Sequence, residues 1–229
     1  MNLFLSNTGR VSVAGKEVQL EQSTQYPWDG DIAIKVAKNS AGEFAMKIRI
    51  PGWVRGQVVP SDLYAYSDGK HLAASCSVNG VGVDVVPDAD GYLTIERKWK
   101  KGDEIQMHFD MEPRTVRAIN EVKADEGCVS IERGPLVYCA EHPDNDFAIQ
   151  SVLLNQSPSF TVADGQVLNY PVKTIAAPAQ VLGFDQQGRL TTKDVTLRLI
   201  PYYAWCHRGG GQMKVWLPQD LKAMLMQSK

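Results

Sequence analysis

Short runs in which apolar and polar residues alternate extend through most of this chain. In the clearest, residues 44–50, Phe, Met and two Ile fall on one face and Lys and Arg on the other. A period of two buries one face of a strand and leaves the other in water. Similar runs occupy residues 11–20, 32–36, 92–99 and 104–109, with Asp-Gly, Asn-Gly and Lys-Gly-Asp turn sequences among them. This pattern predicts an all-β fold of antiparallel sheets.

A polar stretch at residues 120–127 separates two sets of strand signals. The second set is predicted at 128–132, 135–140, 152–154, 160–162, 167–175, 195–200 and 212–217. With 229 residues, the chain can form two domains of about 110 residues, each with its own core. We therefore predict two consecutive antiparallel β-sandwich domains of jelly-roll type, residues 1–115 and 116–217, followed by a short helix or tail at 218–229.

The C-terminal segment carries the best helix signal. Pro218 suits the first turn of a helix, and Asp220 favours its N-terminal end. Leu221, Met224 and Leu225 are spaced at i, i+3 and i+4, which predicts a single apolar face. A helix this short is marginal alone, so we expect that face to dock.

Charge and hydropathy exclude two classes of partner. The chain has 24 Lys and Arg against 26 Asp and Glu, and no basic stripe of the kind that binds nucleic acid. The one basic cluster, residues 97–101, is predicted to be a solvated strand end because Asp103 and Glu104 follow it. No run of 18 apolar residues predicts a transmembrane helix, and the N-terminal residues are not typical of a signal peptide. We expect the chain to begin within a longer protein, which leaves its localisation open.

No metal or cofactor site is predicted. The cysteines lack C-x-x-C spacing and are predicted to be buried thiols, with a single disulfide as the alternative; they are Cys76, Cys128, Cys139 and Cys206. The sequence Asp88-Ala89-Asp90-Gly91 resembles the start of a calcium loop but lacks the later oxygen ligands, so it predicts a hairpin turn.

Catalytic residues are also not predicted. Most acidic residues lie at turns, and Glu96 and Glu132 lie within strands on faces predicted to point outward. Acid–base catalysis needs ionisable groups that converge in a cleft, and a serine nucleophile needs an elbow such as G-x-S-x-G, which is missing. Gly209-Gly210-Gly211 precedes a predicted strand rather than a helix, so it is interpreted as a loop rather than a phosphate site.

Two tryptophans are the candidate binding residues. Trp99 and Trp216 fall inside strand patterns and are predicted to lie in the core. Trp28 and Trp53 fall in turn sequences, where an exposed ring could stack on a sugar or contact a neighbouring domain. Local core packing is the third interpretation of these two rings.

Several segments together resemble the C-terminal region of glycoside hydrolase family 127, the β-L-arabinofuranosidase family. They run in family order over nearly the whole chain and are 26–31, 48–53, 91–103, 127–138, 201–205 and 208–218. The most distinctive read Tyr-Pro-Trp-Asp-Gly-Asp, Ile-Glu-Arg-Gly-Pro-Leu-Val-Tyr and Pro-Tyr-Tyr-Ala-Trp.

This resemblance implies an architecture in which an (α/α)6 catalytic barrel is followed by two β-sandwiches, with this chain beginning after the barrel. The family's zinc-bound cysteine nucleophile, its cysteine and glutamate ligands and its glutamate acid/base would then lie in the barrel. We therefore expect no zinc and no catalytic residue in this chain, and the parent's sugar stays open.

Three hypotheses about function follow. In the first, the chain is a non-catalytic module that braces the barrel and makes homodimer contacts, for instance through residues 218–229. The second is a carbohydrate-binding module, which predicts exposed coplanar rings. The third is an autonomous enzyme, which predicts a pocket with convergent ionisable groups.

Overall fold

The computed structural model describes residues 1–227, in which the regular secondary structure is almost entirely antiparallel β-strand. They divide into two compact units, the first formed by Met1–Gln57 with Lys70–Met111 and the second by Val58–Gly69 with the chain from Glu112 onward. The chain therefore enters the second unit at residue 58, returns at residue 70 and enters it again at residue 112. The sequence pattern did not indicate this exchange.

The elements in chain order are β1 (Asn7–Val13), β2 (Lys16–Thr24), β3 (Asp31–Asn39), β4 (Glu43–Arg49), β5 (Tyr64–Tyr66), β6 (Ala74–Val78), β7 (Val81–Val83), β8 (Tyr92–Lys98), β9 (Glu104–Phe109), β10 (Pro113–Ala118), β11 (Cys128–Arg133), β12 (Leu136–Glu141), β13 (Val152–Leu154), β14 (Thr161–Val167), β15 (Tyr170–Phe184), β16 (Leu190–Pro201), β17 (Met213–Lys214), β18 (Leu217–Pro218) and α1 (Leu221–Gln227). Four single 3-10 turns lie at Lys123–Asp125, His142–Asp144, Ile149–Ser151 and Tyr202–Ala204. The predicted all-β class, with antiparallel sheets in two domains and one short C-terminal helix, is confirmed.

The first unit contains a six-stranded sheet in the order β1-β2-β3-β9-β6-β7 and a two-stranded sheet, β4-β8. In β3 the predicted alternation is observed, since Ile32, Ile34 and Val36 are buried while Lys35 is exposed. At the centre, the fully buried ring of Phe109 meets the ring of Phe4 edge-on at 5.6 Å between centroids. The buried faces of both sheets therefore supply the core of this unit.

The strand predicted at residues 11–20 is interrupted by a turn. Ala14 and Gly15 have positive φ angles of 47° and 76°, and the chain reverses there from β1 into β2. Glycine adopts this conformation without a Cβ penalty. The partial alternation on both sides of the turn concealed two strands in one run.

The second unit forms a single branched sheet of ten strands. Its main order is β13-β15-β16-β12-β11-β10-β5, while β14 pairs with β15, β17 with β12 and β18 with β11. The core of this unit includes Ile131, Tyr138, Leu197 and Leu199, all of them nearly or fully buried. β11 is buried on both faces, although its sequence mixes apolar residues with the buried polar residues Ser130 and Arg133.

A long hairpin of β15 and β16 dominates the second sheet. Their ladder runs without a register shift from Ile175 opposite Leu199 to Phe184 opposite Leu190. β12 joins β16 only at Leu199–Pro201, and the Asn145 side chain bonds both the N–H and the C=O of Arg198 just beyond. The strand predicted at 167–175 is observed as the start of β15, but the prediction ran through the β14–β15 turn at Leu168, whose φ is 55°.

The C-terminal helix begins later than predicted and docks through a different face. It begins at Leu221, after Asp220 accepts the N–H of Ala223 at 2.8 Å, and residues 228–229 of the predicted helix lie outside the described residues. Ala223 is the buried residue, whereas Leu221 and Leu225 are exposed. Two of the three residues of the predicted apolar face therefore point outward, while Met224 is partly buried. In residues 1–227, no helix is long and apolar enough to cross a membrane.

Candidate functional site

Trp53, one of the two candidate binding residues, lies in the core of the first unit. Only 7% of its surface is exposed, and its ring meets Phe109 edge-on at 5.9 Å between centroids. Its indole N–H donates to the hydroxyl oxygen of Tyr26 at 3.3 Å, and Tyr26 in turn packs against Phe4. This placement supports the core-packing interpretation of Trp53 and leaves little ring surface for a sugar.

Trp28 lies in the turn between β2 and β3 and is half-buried. Its backbone N–H donates to the carbonyl oxygen of Gln25 at 2.8 Å, which closes the turn. The structure thus places Trp28 and Trp53 in the same unit but gives them different surroundings, a turn for one and the core for the other.

A shallow polar trough lies beside the Trp28 turn, on the outward face of β2, β3 and β9. It consists of two adjoining cavities of about 420 and 450 Å³ that share Ser23 and Ala33 in their linings. Ser23 is opposite Ala33, and Ala33 is opposite Gln106, so one residue from each of the three strands contributes to its floor. Sequence reasoning missed this trough because its floor combines residues from three strands.

At one end of this face, a histidine bridges two aspartates. His108 Nδ1 lies 2.7 Å from Asp31 Oδ1, and Nε2 lies 3.4 Å from Asp110 Oδ1. The hydrogen bond with Asp31 raises the pKa of His108 above its ordinary value of 6.5, although partial burial opposes the shift. All three side chains are exposed, so this cluster tunes surface charge and contributes little to stability.

We expect the Asp31→Asn substitution to lower the pKa of His108, because it removes the main group that stabilises the imidazolium. In the unsubstituted chain, the stabilising effect of the His108–Asp31 pair is complete below the unfolded-state pKa of His108. It is lost as the pH rises through the higher folded-state pKa. An NMR titration of the imidazole C–H signals measures this pKa, with Asp194→Asn, at an exposed site on β16, as the control. If the pKa of His108 were unchanged in Asp31→Asn, Asp31 would not be the group that raises it.

In the second unit, an arginine closes the loop after β16 onto the end of β12. Arg208 Nη1 donates to Asp144 Oδ1 at 2.8 Å, and Nη2 donates to both Asp144 and Glu141. Glu141 is 3% exposed at its side chain and also accepts the backbone N–H of Cys206 at 2.8 Å. The carboxylates of Asp144 and Glu141 raise the pKa of Arg208, so the guanidinium stays protonated. This cluster, here called the Arg208 clamp, fixes the loop rather than leaving a free acid or base.

The loop held by the Arg208 clamp carries an exposed aromatic turn, residues 202–205. Tyr202 stacks on Trp205 with 6.5 Å between ring centroids and 25° between planes. Tyr202 and Tyr203 are both exposed, while Ala204 is buried and anchors the turn. Rings that combine an apolar body with a polar edge are typical of contact surfaces. The family resemblance included this segment, but nothing in the sequence singled out its rings.

Glu132 corrects a second orientation predicted from sequence. It was predicted to point outward, but the carboxylate is largely buried and accepts the Tyr66 hydroxyl at 2.9 Å. Burial raises the pKa of Glu132, although that hydrogen bond and the nearby Arg114 partly counteract the shift. Because β11 is buried on both faces, alternation could not reveal which way its side chains point.

Three of the four cysteines are buried thiols rather than accessible nucleophiles. All four are free thiols; Cys76, Cys128 and Cys139 are buried as predicted, whereas Cys206 is exposed, contrary to prediction. Burial raises the pKa of Cys76 and Cys128 to about 11 and that of Cys139 to about 12, so the reactive thiolate is disfavoured. Among residues 1–227, no group of three or more His, Cys, Asp or Glu is placed to hold a metal ion.

The Asp88–Gly91 segment forms the predicted hairpin turn. Asp88 Oδ1 accepts the N–H groups of Asp90 and Tyr92, and Gly91 N–H donates to the Asp88 carbonyl oxygen at 2.9 Å. The aspartate therefore caps its own turn, as expected for this residue type.

Together, these features define a pair of antiparallel β domains in which the buried carboxylates Glu132 and Glu141 are held in structural contacts. Residues 1–111 match the family model described as the GH127 middle domain of β-L-arabinofuranosidase, and residues 113–218 match the glycoside hydrolase family 127 C-terminal domain. The chain belongs to glycoside hydrolase family 127, of which it carries the middle and C-terminal domains.

Individual relatives agree with this assignment. A non-reducing end β-L-arabinofuranosidase from Bifidobacterium longum is 32% identical over 93% of this chain and 32% of its own length. A solved GH127 β-arabinofuranosidase is 54% identical, with a TM-score of 0.93, over 96% of this chain and 34% of its own. A GH127 β-L-arabinofuranosidase from Geobacillus stearothermophilus is 32% identical, with a TM-score of 0.80, over 94% of this chain and 33% of its own. The chain thus spans about a third of the length of these relatives.

Proposed function

We propose that these two domains form the non-catalytic part of a β-L-arabinofuranosidase-like glycoside hydrolase and brace its catalytic barrel. The observation that carries this proposal is the match of the whole chain to the middle and C-terminal domains of a family whose members are about three times as long. The chemistry of the site agrees, because the buried thiols are held protonated and the buried carboxylates are paired.

The aromatic turn at 202–205 is the surface best suited to such bracing. Its two tyrosine rings are exposed, and the loop that carries them is fixed by the Arg208 clamp, so little conformational entropy is lost on contact. Tyrosine and tryptophan also supply large contact areas at protein interfaces. The partner proposed for this surface is the catalytic barrel of the parent chain.

Activity assays on p-nitrophenyl β-L-arabinofuranoside test this proposal, with and without zinc. We expect no turnover by this chain and turnover by a protein extended to include the barrel. Zinc-dependent turnover by the chain alone would contradict the proposal and favour an autonomous enzyme. Retention of the chain on immobilised arabinan would instead favour the carbohydrate-binding module.

The extended protein also allows a direct test of bracing. We expect Tyr203→Ala to accelerate the thermal inactivation of the barrel, because it removes a contact ring without touching the catalytic groups. Tyr170→Ala is the matched control, since Tyr170 is similarly exposed but lies at the start of β15. Equal inactivation rates for the two variants would argue against a role for the aromatic turn.

A homodimer contact through α1 is the second part of the proposal. Leu221 and Leu225 lie one turn apart, and both are exposed, so they form a small apolar strip. Sedimentation velocity of the extended protein should show a dimer that Leu225→Lys dissociates. A monomer at all concentrations would remove this part of the proposal while leaving the bracing role intact.

A further inference from the structure

Residues 58–69, here called the strap, supply an edge strand to the sheet of the second unit. Within the strap, β5 pairs antiparallel with β10, and Tyr66 is opposite Val116. Two further backbone bonds extend the ladder, from Ile119 N–H to the Leu63 carbonyl oxygen and from Ser67 N–H to that of Thr115, both at 2.9 Å. The strap is therefore held along β10 by main-chain bonds that do not depend on its sequence.

The side chains of the strap add a sequence-dependent set of contacts. Tyr64, Tyr66 and Asp68 follow a period of two, which places them on one face of an extended segment. The ring of Tyr64 stacks on Trp216 with 5.7 Å between centroids. The Tyr66 hydroxyl donates to the buried carboxylate of Glu132 at 2.9 Å. The remaining residue, Asp68, meets an arginine of β10.

This arginine, Arg114, contacts two of the three strap residues. Its side chain is 4% exposed, and its Nε and Nη2 donate to the two carboxylate oxygens of Asp68, with Nε–Oδ2 at 3.0 Å. The guanidinium also lies over the Tyr66 ring, 3.5 Å from its centroid. A planar guanidinium can satisfy both contacts at once, whereas a lysine ammonium cannot.

We propose that the edge of β10 is a strand-accepting site that recognises an extended Tyr-x-Tyr-x-Asp peptide and is filled in cis by the strap. The recognising groups, Arg114, Glu132 and Trp216, all lie outside the strap, on the accepting side. Strand addition characteristically takes affinity from main-chain bonds and specificity from alternate side chains, and the strap supplies both. Recognition therefore rests on these contacts rather than on chain connectivity, and the same segment binds in trans once the strap is weakened.

A labelled peptide of residues 60–70 tests the site by fluorescence anisotropy. We expect it to bind a chain carrying Tyr66→Ala and Asp68→Ala at least about tenfold more tightly than it binds the unaltered chain, because the attached strap competes at high effective concentration. A peptide with Asp68→Asn should bind the altered chain at least about tenfold more weakly, since the bidentate ion pair is lost. Equal affinity of the two peptides, or no binding to a folded altered chain, would overturn the proposal.

Hydrogen exchange on the Arg114→Lys chain tests the site without altering the strap. The Ser67 and Ile119 amides, which bond across the strap ladder, should exchange at least about tenfold faster than in the unaltered chain, whereas the β15–β16 ladder should be unchanged. Unchanged exchange at Ser67 and Ile119 would overturn the proposal even if the doubly altered chain failed to fold.

Discussion

Replacing Arg208 with alanine is expected to lower the free energy of unfolding of the second unit by about 3–5 kcal/mol. The guanidinium is the charged partner of Glu141, whose side chain is 3% exposed, and it also binds Asp144. Its removal would leave a buried carboxylate whose remaining bond is the N–H of Cys206. Urea unfolding followed by circular dichroism measures the loss.

Two further variants separate the ion pair from general effects of losing an arginine. Arg189→Ala removes a surface ion pair with Asp185, four residues earlier in the chain, and should lower the free energy of unfolding by less than about 0.5 kcal/mol. Combining Glu141→Gln with Arg208→Met should recover part of the loss, since no unpaired charge then remains buried. If Arg208→Ala were as mild as Arg189→Ala, the clamp would not be a stabilising feature.

The Trp53→Ala substitution is expected to lower the free energy of unfolding of the first unit by about 3–5 kcal/mol, because it opens a large cavity in the core. The indole packs edge-on against Phe109 and donates to Tyr26, so both contacts would be lost. Differential scanning calorimetry should show the lower transition temperature.

Val86→Ala is the control in the same unit, because Val86 is 74% exposed and its truncation should change stability by less than about 0.5 kcal/mol. Trp53→Phe, which keeps a ring but loses the indole N–H, should be intermediate. If Trp53→Ala left stability unchanged but altered sugar binding, the interpretation of Trp53 as a ring that stacks on a sugar would be favoured instead.

The strands of the first unit could be predicted because one face of each is exposed. In β3 and β9, every second residue is apolar and buried, and that period is visible in the sequence alone. The alternation was not visible where neither face of a strand is exposed to solvent, and it misled where a turn uses unexpected residues. Leu168 takes the positive φ of the β14–β15 turn, which glycine or asparagine more commonly adopts, so the predicted strand ran through it.

The helix face failed for a different reason. Periodicity identified Leu221, Met224 and Leu225 as one face, but Ala223 is the buried residue. A Cβ on Gly127 would approach the Ala223 methyl to 2.8 Å, so the helix lies too close to the turn at Gly127 for a larger side chain at this contact. Close approach selects small residues, and hydrophobic periodicity gives them little weight.

The candidate sites were the least predictable features because their members are distant in sequence. The Arg208 clamp joins residues 64 and 67 positions apart, and Tyr66 and Glu132 are separated by 66. The strap presents only three paired residues, too few for an alternation to stand out from a polar loop. The two tryptophans were found because residue type alone identifies them, but residue type does not determine their burial.

The edge of β16 that extends beyond β12 shows how a long strand can avoid pairing with the same strand of another molecule. Because Arg198 directs its N–H and C=O toward Asn145, the backbone groups of Thr196, Asp194 and Thr192 point the same way, beyond the reach of β12. If two molecules paired antiparallel along this edge, the two-fold axis between them would pass through one residue position. That residue would then face its own copy. Centring it on residue 193 opposes two lysines, and centring it on residue 194 opposes two aspartates. Like charges face each other in both central registers, which disfavours antiparallel pairing of two molecules along this edge.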